Sequence, residues 1–62
     1  MDISTLKAGD KIRVRTQFGL GPMTTGTVIE AVDFDNPAID YVDLKTNEQH
    51  WAYARQVISK LS

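Results

Sequence analysis

Residues 11–16 read Lys11-Ile12-Arg13-Val14-Arg15-Thr16, a stretch in which polar and apolar side chains alternate strictly. Successive side chains of a β-strand point to opposite faces of the sheet, so the alternation predicts a half-buried strand. Ile12 and Val14 are expected to face inward, and the basic side chains are expected to face outward. Gly9 and Asp10, just before this stretch, have the residue types of a tight turn.

The next two segments predict a loop followed by a bent strand. Residues 17–25 combine two glycines and a proline with three large apolar side chains, which predicts a long, partly apolar loop. Residues 26–33 are rich in β-branched and apolar side chains at both odd and even positions. This pattern is expected of a strongly bent strand that faces the core along two sheets, with Gly26 as the site of a bulge or bend.

A hairpin is predicted in the second half of the chain. Residues 39–44 return to alternation, with Val42 and Leu44 as the expected inner face. Residues 49–53 are rich in aromatic side chains and form the returning arm. Asn47 is expected to supply the left-handed residue of the turn.

The last segments complete an all-β domain. Residues 54–57 suit one short helical turn, and residues 58–61 alternate again as a final strand. Five short strands in 62 residues predict a single domain that covers residues 1–62.

Composition narrows the classes of function. Seven Lys and Arg against eight Asp and Glu give a net charge of −1, so long-range attraction to nucleic acid or anionic lipid is expected to be weak. The chain has no cysteine, which excludes disulfides and thiolate metal sites. Residues 1–5 lack the features of a secretory signal, and no apolar run reaches membrane-spanning length. We therefore expect a cytoplasmic protein with no membrane partner.

Three motifs carry a resemblance to a known superfold. They are the segments Leu6-Lys7-Ala8-Gly9-Asp10-Lys11-Ile12-Arg13-Val14, Gly26-Thr27-Val28-Ile29 and Ala54-Arg55-Gln56-Val57-Ile58. Together they resemble the pattern of five-stranded Src-homology-3-like (SH3-like) barrels with a short 3-10 turn before the last strand. The chain looks most similar to KOW-type domains and to the small barrel subunit of photosystem I. Such motifs specify a fold and say little about function.

The plasmid-borne type II dihydrofolate reductases share this barrel, and their pore site uses a Val-Gln-Ile-Tyr segment. The comparable segment here is His50-Trp51-Ala52-Tyr53. Tyr53 matches the tyrosine of that family, whereas Trp51 replaces the glutamine on which its folate site relies. The resemblance therefore implies the fold and leaves an oligomeric barrel with a pore active site as a remote alternative.

An aromatic binding surface is the leading hypothesis. If the hairpin loop has three residues, Tyr41 shares a face with Trp51 and Tyr53, and the rings form one exposed patch. If the turn has two residues, Tyr41 is separated from Trp51. Tryptophan and tyrosine, whose large rings carry a polar group, are enriched at protein interfaces, and their rings also stack on nucleic-acid bases. Alternatively, these rings only cover a thin barrel.

The loop side chains Phe18, Leu20 and Met23 form the rim of this predicted surface. Met-containing loops adapt to partner proteins when they are exposed, but packing against the barrel is the more frequent outcome. A basic stripe is the alternative surface. It consists of Lys7, Lys11, Arg13 and Arg15 and suits the phosphates of a nucleic acid.

Catalytic and metal sites find little support in the sequence. His50 is the only histidine, and it is interpreted as a structural side chain. Asp33, Asp35, Asp40 and Asp43 lack the spacing of a calcium loop and are interpreted as solvated loop acids. We expect a non-catalytic binding module without a metal or cofactor. Its expected partner is another protein, and nucleic acid or a second copy of the chain remains an alternative.

Overall fold

The computed structural model describes residues 3–32 and 35–61. Five antiparallel strands form one sheet in the order β4-β3-β2-β1-β5. They are β1 (Lys11–Arg15), β2 (Met23–Val32), β3 (Ala38–Asp43), β4 (Gln49–Tyr53) and β5 (Val57–Lys60). Short 3-10 turns span Ile3–Thr5, Gln17–Gly19 and Ala54–Gln56. The all-β class, the five strands and the 3-10 turn before the last strand are confirmed.

The sheet is open within the described ranges. Strand β4 pairs only with β3, and β5 pairs only with β1, so these two strands are its edges. A hydrogen bond from Gln56 Nε2 to the Arg15 carbonyl oxygen, at 3.0 Å, joins the segment after β4 to the end of β1. Gln56 directly precedes β5, whose Val57 pairs with Val14, so this bond extends the contact between β5 and β1.

Strand β1 has the predicted alternation of buried and exposed residues. Ile12 and Val14 are fully buried, whereas Lys11, Arg13 and Arg15 are exposed. These two aliphatic side chains belong to a core cluster that draws on every strand. Its members are Ile3, Leu6, Ile12, Val14, Val28, Ile39, Tyr41, Ala52 and Val57. The turn before β1 is also as predicted, because Gly9 has a φ of 95°.

Strand β2 bends at a later position than the sequence suggested. Its register with β3 shifts between Val28 and Glu30, so the bulge lies at that point rather than at Gly26. At Gly26 the backbone instead lies close to the Tyr41 ring. A Cβ atom there would lie 2.5 Å from Cδ2 of Tyr41, so the missing side chain leaves room for the tyrosine ring.

The inner face of β3 differs from the prediction. Ile39, Tyr41 and Asp43 point inward, whereas Val42 is half-buried and Leu44 is exposed. The apolar pattern of residues 39–44 is ambiguous because Ile39 and Tyr41 offer one apolar face while Val42 and Leu44 offer the other. Ile39 pairs with Ala52, which is also buried, so the face that carries Ile39 and Tyr41 joins the core.

The predicted loop at 17–25 is shorter in the structure, because β2 already begins at Met23. Thr24 and Thr25 pair with Val14 and Arg13, which extends the β1–β2 hairpin. Asp33, the predicted end of the second strand, lies outside the described residues, as do Met1 and Asp2.

Candidate functional site

Three aromatic rings meet beside the edge strand β4, and we call Phe18, Trp51 and Tyr53 the aromatic cluster. The Trp51 and Tyr53 ring centroids are 5.0 Å apart with an interplanar angle of 89°. Phe18 lies 5.9 Å from Trp51 and 6.2 Å from Tyr53. The Trp51–Tyr53 and Phe18–Trp51 pairs are edge-to-face, and such pairs each contribute about 0.5–1.5 kcal/mol beyond the area that they bury. Even so, Phe18 is 60% exposed and Trp51 is 51% exposed.

Tyr41 is not part of this exposed surface. It pairs with His50 across the hairpin, whereas Trp51 pairs with Asp40, so Tyr41 and Trp51 point to opposite faces of the sheet. The register results from a four-residue loop, residues 44–47, because the Asp43 N–H bonds to the Glu48 carbonyl oxygen. An even-numbered loop gives the odd pairing sum that separates these rings. The prediction of a continuous patch of Tyr41, Trp51 and Tyr53 is therefore wrong.

Phe18 reaches the cluster because of an unusual turn. The Gly19 N–H donates to the Thr16 carbonyl oxygen at 3.1 Å, and both residues between them have positive φ, 51° at Gln17 and 57° at Phe18. This conformation resembles a type I′ turn, which normally uses glycine or asparagine. A left-handed backbone costs an ordinary side chain about 1–2 kcal/mol. Strain of this kind concentrates at functional sites.

A cavity of about 320 Å³ adjoins the aromatic cluster. Its walls come from the end of β1, the turn after it, strands β3 and β4, and the turn before β5. The lining residues are Thr16, Gln17, Phe18, Tyr41, Asp43, His50, Trp51 and Gln56. Tyr41 belongs to the core, being 3% exposed, so the cavity lies directly against the core.

Asp43 is a buried anchor of the hairpin loop, not the solvated loop acid that the sequence suggested. Its Oδ1 accepts the Lys45 N–H at 2.8 Å and the Thr46 N–H at 3.4 Å. The Thr24 hydroxyl donates to both carboxylate oxygens at 3.1 Å. Burial by itself raises the pKa of the Asp43 carboxyl, but these hydrogen bonds and the charge of His50 together lower it below its ordinary value. The carboxylate is therefore kept ionised.

The same environment has the opposite effect on Tyr41. Burial raises the pKa of its phenol, and the nearby Asp43 charge raises it further. Its ring centroid lies 6.0 Å from that of His50. The Tyr41 side chain is therefore uncharged where it lines the cavity.

Gln56 was not identified from the sequence, yet it fixes one wall of the cavity. Its Nε2 donates to the Arg15 carbonyl, and its Oε1 accepts the Tyr53 N–H at 2.9 Å. Both polar ends of this buried side chain therefore have partners. They hold Tyr53 relative to the end of β1, where the turn that carries Phe18 begins.

His50, interpreted from the sequence as a structural side chain, is exposed and lines the cavity. Its Nε2 lies 3.8 Å from Oε1 of Glu48, which is also exposed. Asp35 is exposed and Asp40 is half-buried. No group of three His, Asp or Glu side chains in the described part of the chain is arranged to hold a metal ion.

The basic stripe forms on the outer face of β1, as predicted. Lys11, Arg13 and Arg15 are all exposed there, and Lys7 is exposed before the strand. Across the β1–β2 pairing, Lys11 lies opposite Thr27 and Arg13 lies opposite Thr25. The stripe therefore has hydroxyl neighbours.

Leu20 and Met23 remain exposed rather than packing against the sheet, and Leu20 is 90% exposed. Of the three rim residues, Phe18 is the one that belongs to the aromatic cluster.

Comparisons with family models, curated proteins and solved structures find no match to this chain. Across residues 3–32 and 35–61, no helix is long and apolar enough to cross a membrane.

Proposed function

We propose that this protein is a small, non-catalytic binding module that contacts another protein through the aromatic cluster. The observation that carries the proposal is the exposure of Phe18 and Trp51 next to a cavity. Large exposed rings at the edge of a pocket are typical of interaction hot spots, where they fill complementary surfaces of a partner. Leu20 and Met23 would then contribute at the rim, where contacts usually add little affinity.

The non-catalytic part of the proposal is supported by the surroundings of His50. Its contacts are an exposed Glu48 carboxylate and the Tyr41 ring. Neither is a serine, threonine or cysteine nucleophile, and the Thr16 hydroxyl, which lines the same cavity, donates to the Pro22 carbonyl oxygen. Trp51, at the position of the polar pore glutamine of the type II reductases, likewise favours apolar contact.

We extend the proposal to an SH3-like barrel in a cytoplasmic protein. The bulge in β2 and the three-residue turn Ala54–Gln56, which joins the two edge strands β4 and β5, support a sheet that curls toward closure. A solution structure in which β4 stays remote from the turn at Gln17–Gly19 would contradict the barrel.

The test is capture of partners from a cell lysate on immobilised protein after nuclease treatment. We expect Trp51→Ala to lose a nuclease-resistant protein partner while its circular dichroism spectrum stays native. Ile58→Ala is the matched control, because Ile58 is an exposed apolar residue on β5, the opposite edge. Equal capture by folded Trp51→Ala and wild type would contradict the proposal.

A nucleic-acid-binding domain of KOW type is the second candidate. The exposed cations of β1 and the opposing threonine hydroxyls support it, since both groups bind phosphate oxygens. This function predicts nuclease-sensitive capture, loss of capture in Arg13→Ala, and affinity that falls steeply with salt.

Self-association is a third candidate, because two edge strands are open to pairing with another chain. Light scattering at two protein concentrations tests it. A mass that stays at that of one chain would contradict it.

A further inference from the structure

The cavity beside the aromatic cluster has one charged carboxylate and no basic residue among its lining side chains other than His50. Phe18 and Trp51 supply ring surface, and Asp43 supplies a carboxylate held in its ionised form by the hydrogen bonds of the hairpin loop. Aromatic faces and carboxylates attract the same kind of ligand, a cation.

Further acidic groups lie around this site. Asp40 is the direct cross-strand neighbour of Trp51 on the outer face of the sheet. The Glu48 carboxylate lies 3.8 Å from His50, which lines the cavity. Directly paired residues have Cβ atoms about 5 Å apart, so the Asp40 carboxylate lies within electrostatic reach of a cation on the Trp51 ring. The basic side chains of β1 are not among the residues that line the cavity.

An intramolecular contact shows the chemistry that the cluster accepts. The guanidinium carbon of Arg55 lies 4.7 Å from the centroid of the Tyr53 ring. This distance is within the range of a cation–π interaction. Arg55 and Tyr53 line a second depression, apart from the main cavity. Phe18 and Trp51, which are the more exposed rings, face the main cavity.

We propose that this cavity binds a lysine or arginine side chain from a basic segment of the protein partner. The inference rests on the proposed binding function and specifies its partner chemistry. The cation stacks on Phe18 and Trp51. Asp43 supplies opposite charge at the cavity wall, and Asp40, which does not line the cavity, adds to it from its position beside Trp51. The apolar stem of the long side chain packs along the rings, as such stems do at interfaces.

The experiment uses the chain's single tryptophan as its reporter. Acetylated pentapeptides with a central arginine, lysine, norleucine or glutamate between glycines are titrated into the protein, and Trp51 fluorescence is followed. We expect the arginine and lysine peptides to bind at least about tenfold more tightly than the norleucine peptide. The advantage is expected to shrink as salt is raised. Equal affinity for norleucine, or no affinity for any peptide, would overturn the inference.

Charge variants separate this inference from the proposed function. Asp40→Asn is expected to weaken binding of the arginine peptide several-fold, while the matched control Asp35→Asn, which alters an exposed loop acid, leaves it unchanged. An Asp40→Asn variant that binds the arginine peptide like wild type would contradict the contribution of the Asp40 charge to binding. If the norleucine peptide binds as well as the arginine peptide, the cluster still binds apolar groups, and only the cation preference is lost.

Discussion

The two turns that flank the cavity are built in opposite ways. The loop at residues 44–47 is held by the Asp43 carboxylate, and its one left-handed residue is Asn47, with a φ of 62°. The turn at Gln17–Gly19 has two consecutive left-handed residues with ordinary side chains and no side-chain cap at its start. One turn uses residues suited to its backbone, and the other does not.

This difference indicates what each turn contributes. Asparagine tolerates the left-handed conformation, and a buried aspartate satisfies the N–H groups of the loop, so the first turn adds stability. The second turn costs stability, because Gln17 and Phe18 are strained, but it brings the Phe18 ring to Trp51 and Tyr53. We infer that the β3–β4 loop serves the fold and the Gln17–Gly19 turn serves the site.

Removal of the Asp43 carboxylate is the largest expected effect. Asp43→Ala deprives the Lys45 N–H and the Thr24 hydroxyl of their acceptor in a partly buried setting. We expect the free energy of unfolding to fall by about 2–3 kcal/mol, measured by urea denaturation. Asp35→Ala, at an exposed loop position, is the control and is expected to change it by less than about 0.5 kcal/mol. Equal effects would show that the Asp43 carboxylate stabilises the protein no more than an exposed loop carboxylate does.

Acid pH tests the same carboxylate without removing it. Its pKa is lower in the folded protein than the ordinary value of 3.8, so folding is favoured while the group is ionised. This contribution is present above about pH 4 and is lost as the pH falls through the folded-state pKa. Urea midpoints of wild type and Asp43→Asn, measured between neutral and acid pH, should converge as the pH falls. A constant difference would contradict this assignment.

Relief of strain in the other turn should stabilise the protein. Glycine adopts positive φ without a steric penalty, so Gln17→Gly removes strain of about 1–2 kcal/mol and adds a smaller entropic cost. We expect a net gain of about 0.5–1 kcal/mol in the free energy of unfolding. Gln17→Ala keeps the strain and serves as the control. A loss of stability in Gln17→Gly would show that this turn is not strained.

The smallest effect is expected at Asn47. Asparagine already suits a φ of 62°, so Asn47→Gly should change the free energy of unfolding by less than about 0.5 kcal/mol. Thermal melts of Asn47→Gly and Gln17→Gly, measured side by side, compare the strain in the two turns. A gain at Asn47 as large as the gain at Gln17 would mean that both turns are equally strained.

The sequence predicted the elements that depend on local pattern. Strict alternation identified the faces of β1, and Gly9 identified the turn before it, because both signals lie within a few residues. The face of β3 was not predictable in this way. Apolar residues occupy both faces of residues 39–44, and the length of the following loop decides which one is buried. That loop also separates Tyr41 from Trp51.

The site was only partly predictable. Phe18, Trp51 and Tyr53 were identified as candidates from residue type, but their contact depends on two left-handed residues that no local motif indicates. Asp43 had a weak signal, since an aspartate at the start of a turn often bonds the backbone that follows it. Gln56 had none, because its partner Arg15 is 41 positions away in the chain.

The most direct test of the account compares Phe18→Ala with Leu20→Ala in partner capture from nuclease-treated lysate. Both side chains are exposed in the same segment, but Phe18 belongs to the aromatic cluster, whereas Leu20 is 90% exposed. We predict that both variants fold, that Phe18→Ala loses the partner, and that Leu20→Ala, at the rim, keeps most of it. If folded Phe18→Ala retains the partner as well as wild type does, the strained turn does not serve a binding site, and the central claim is wrong.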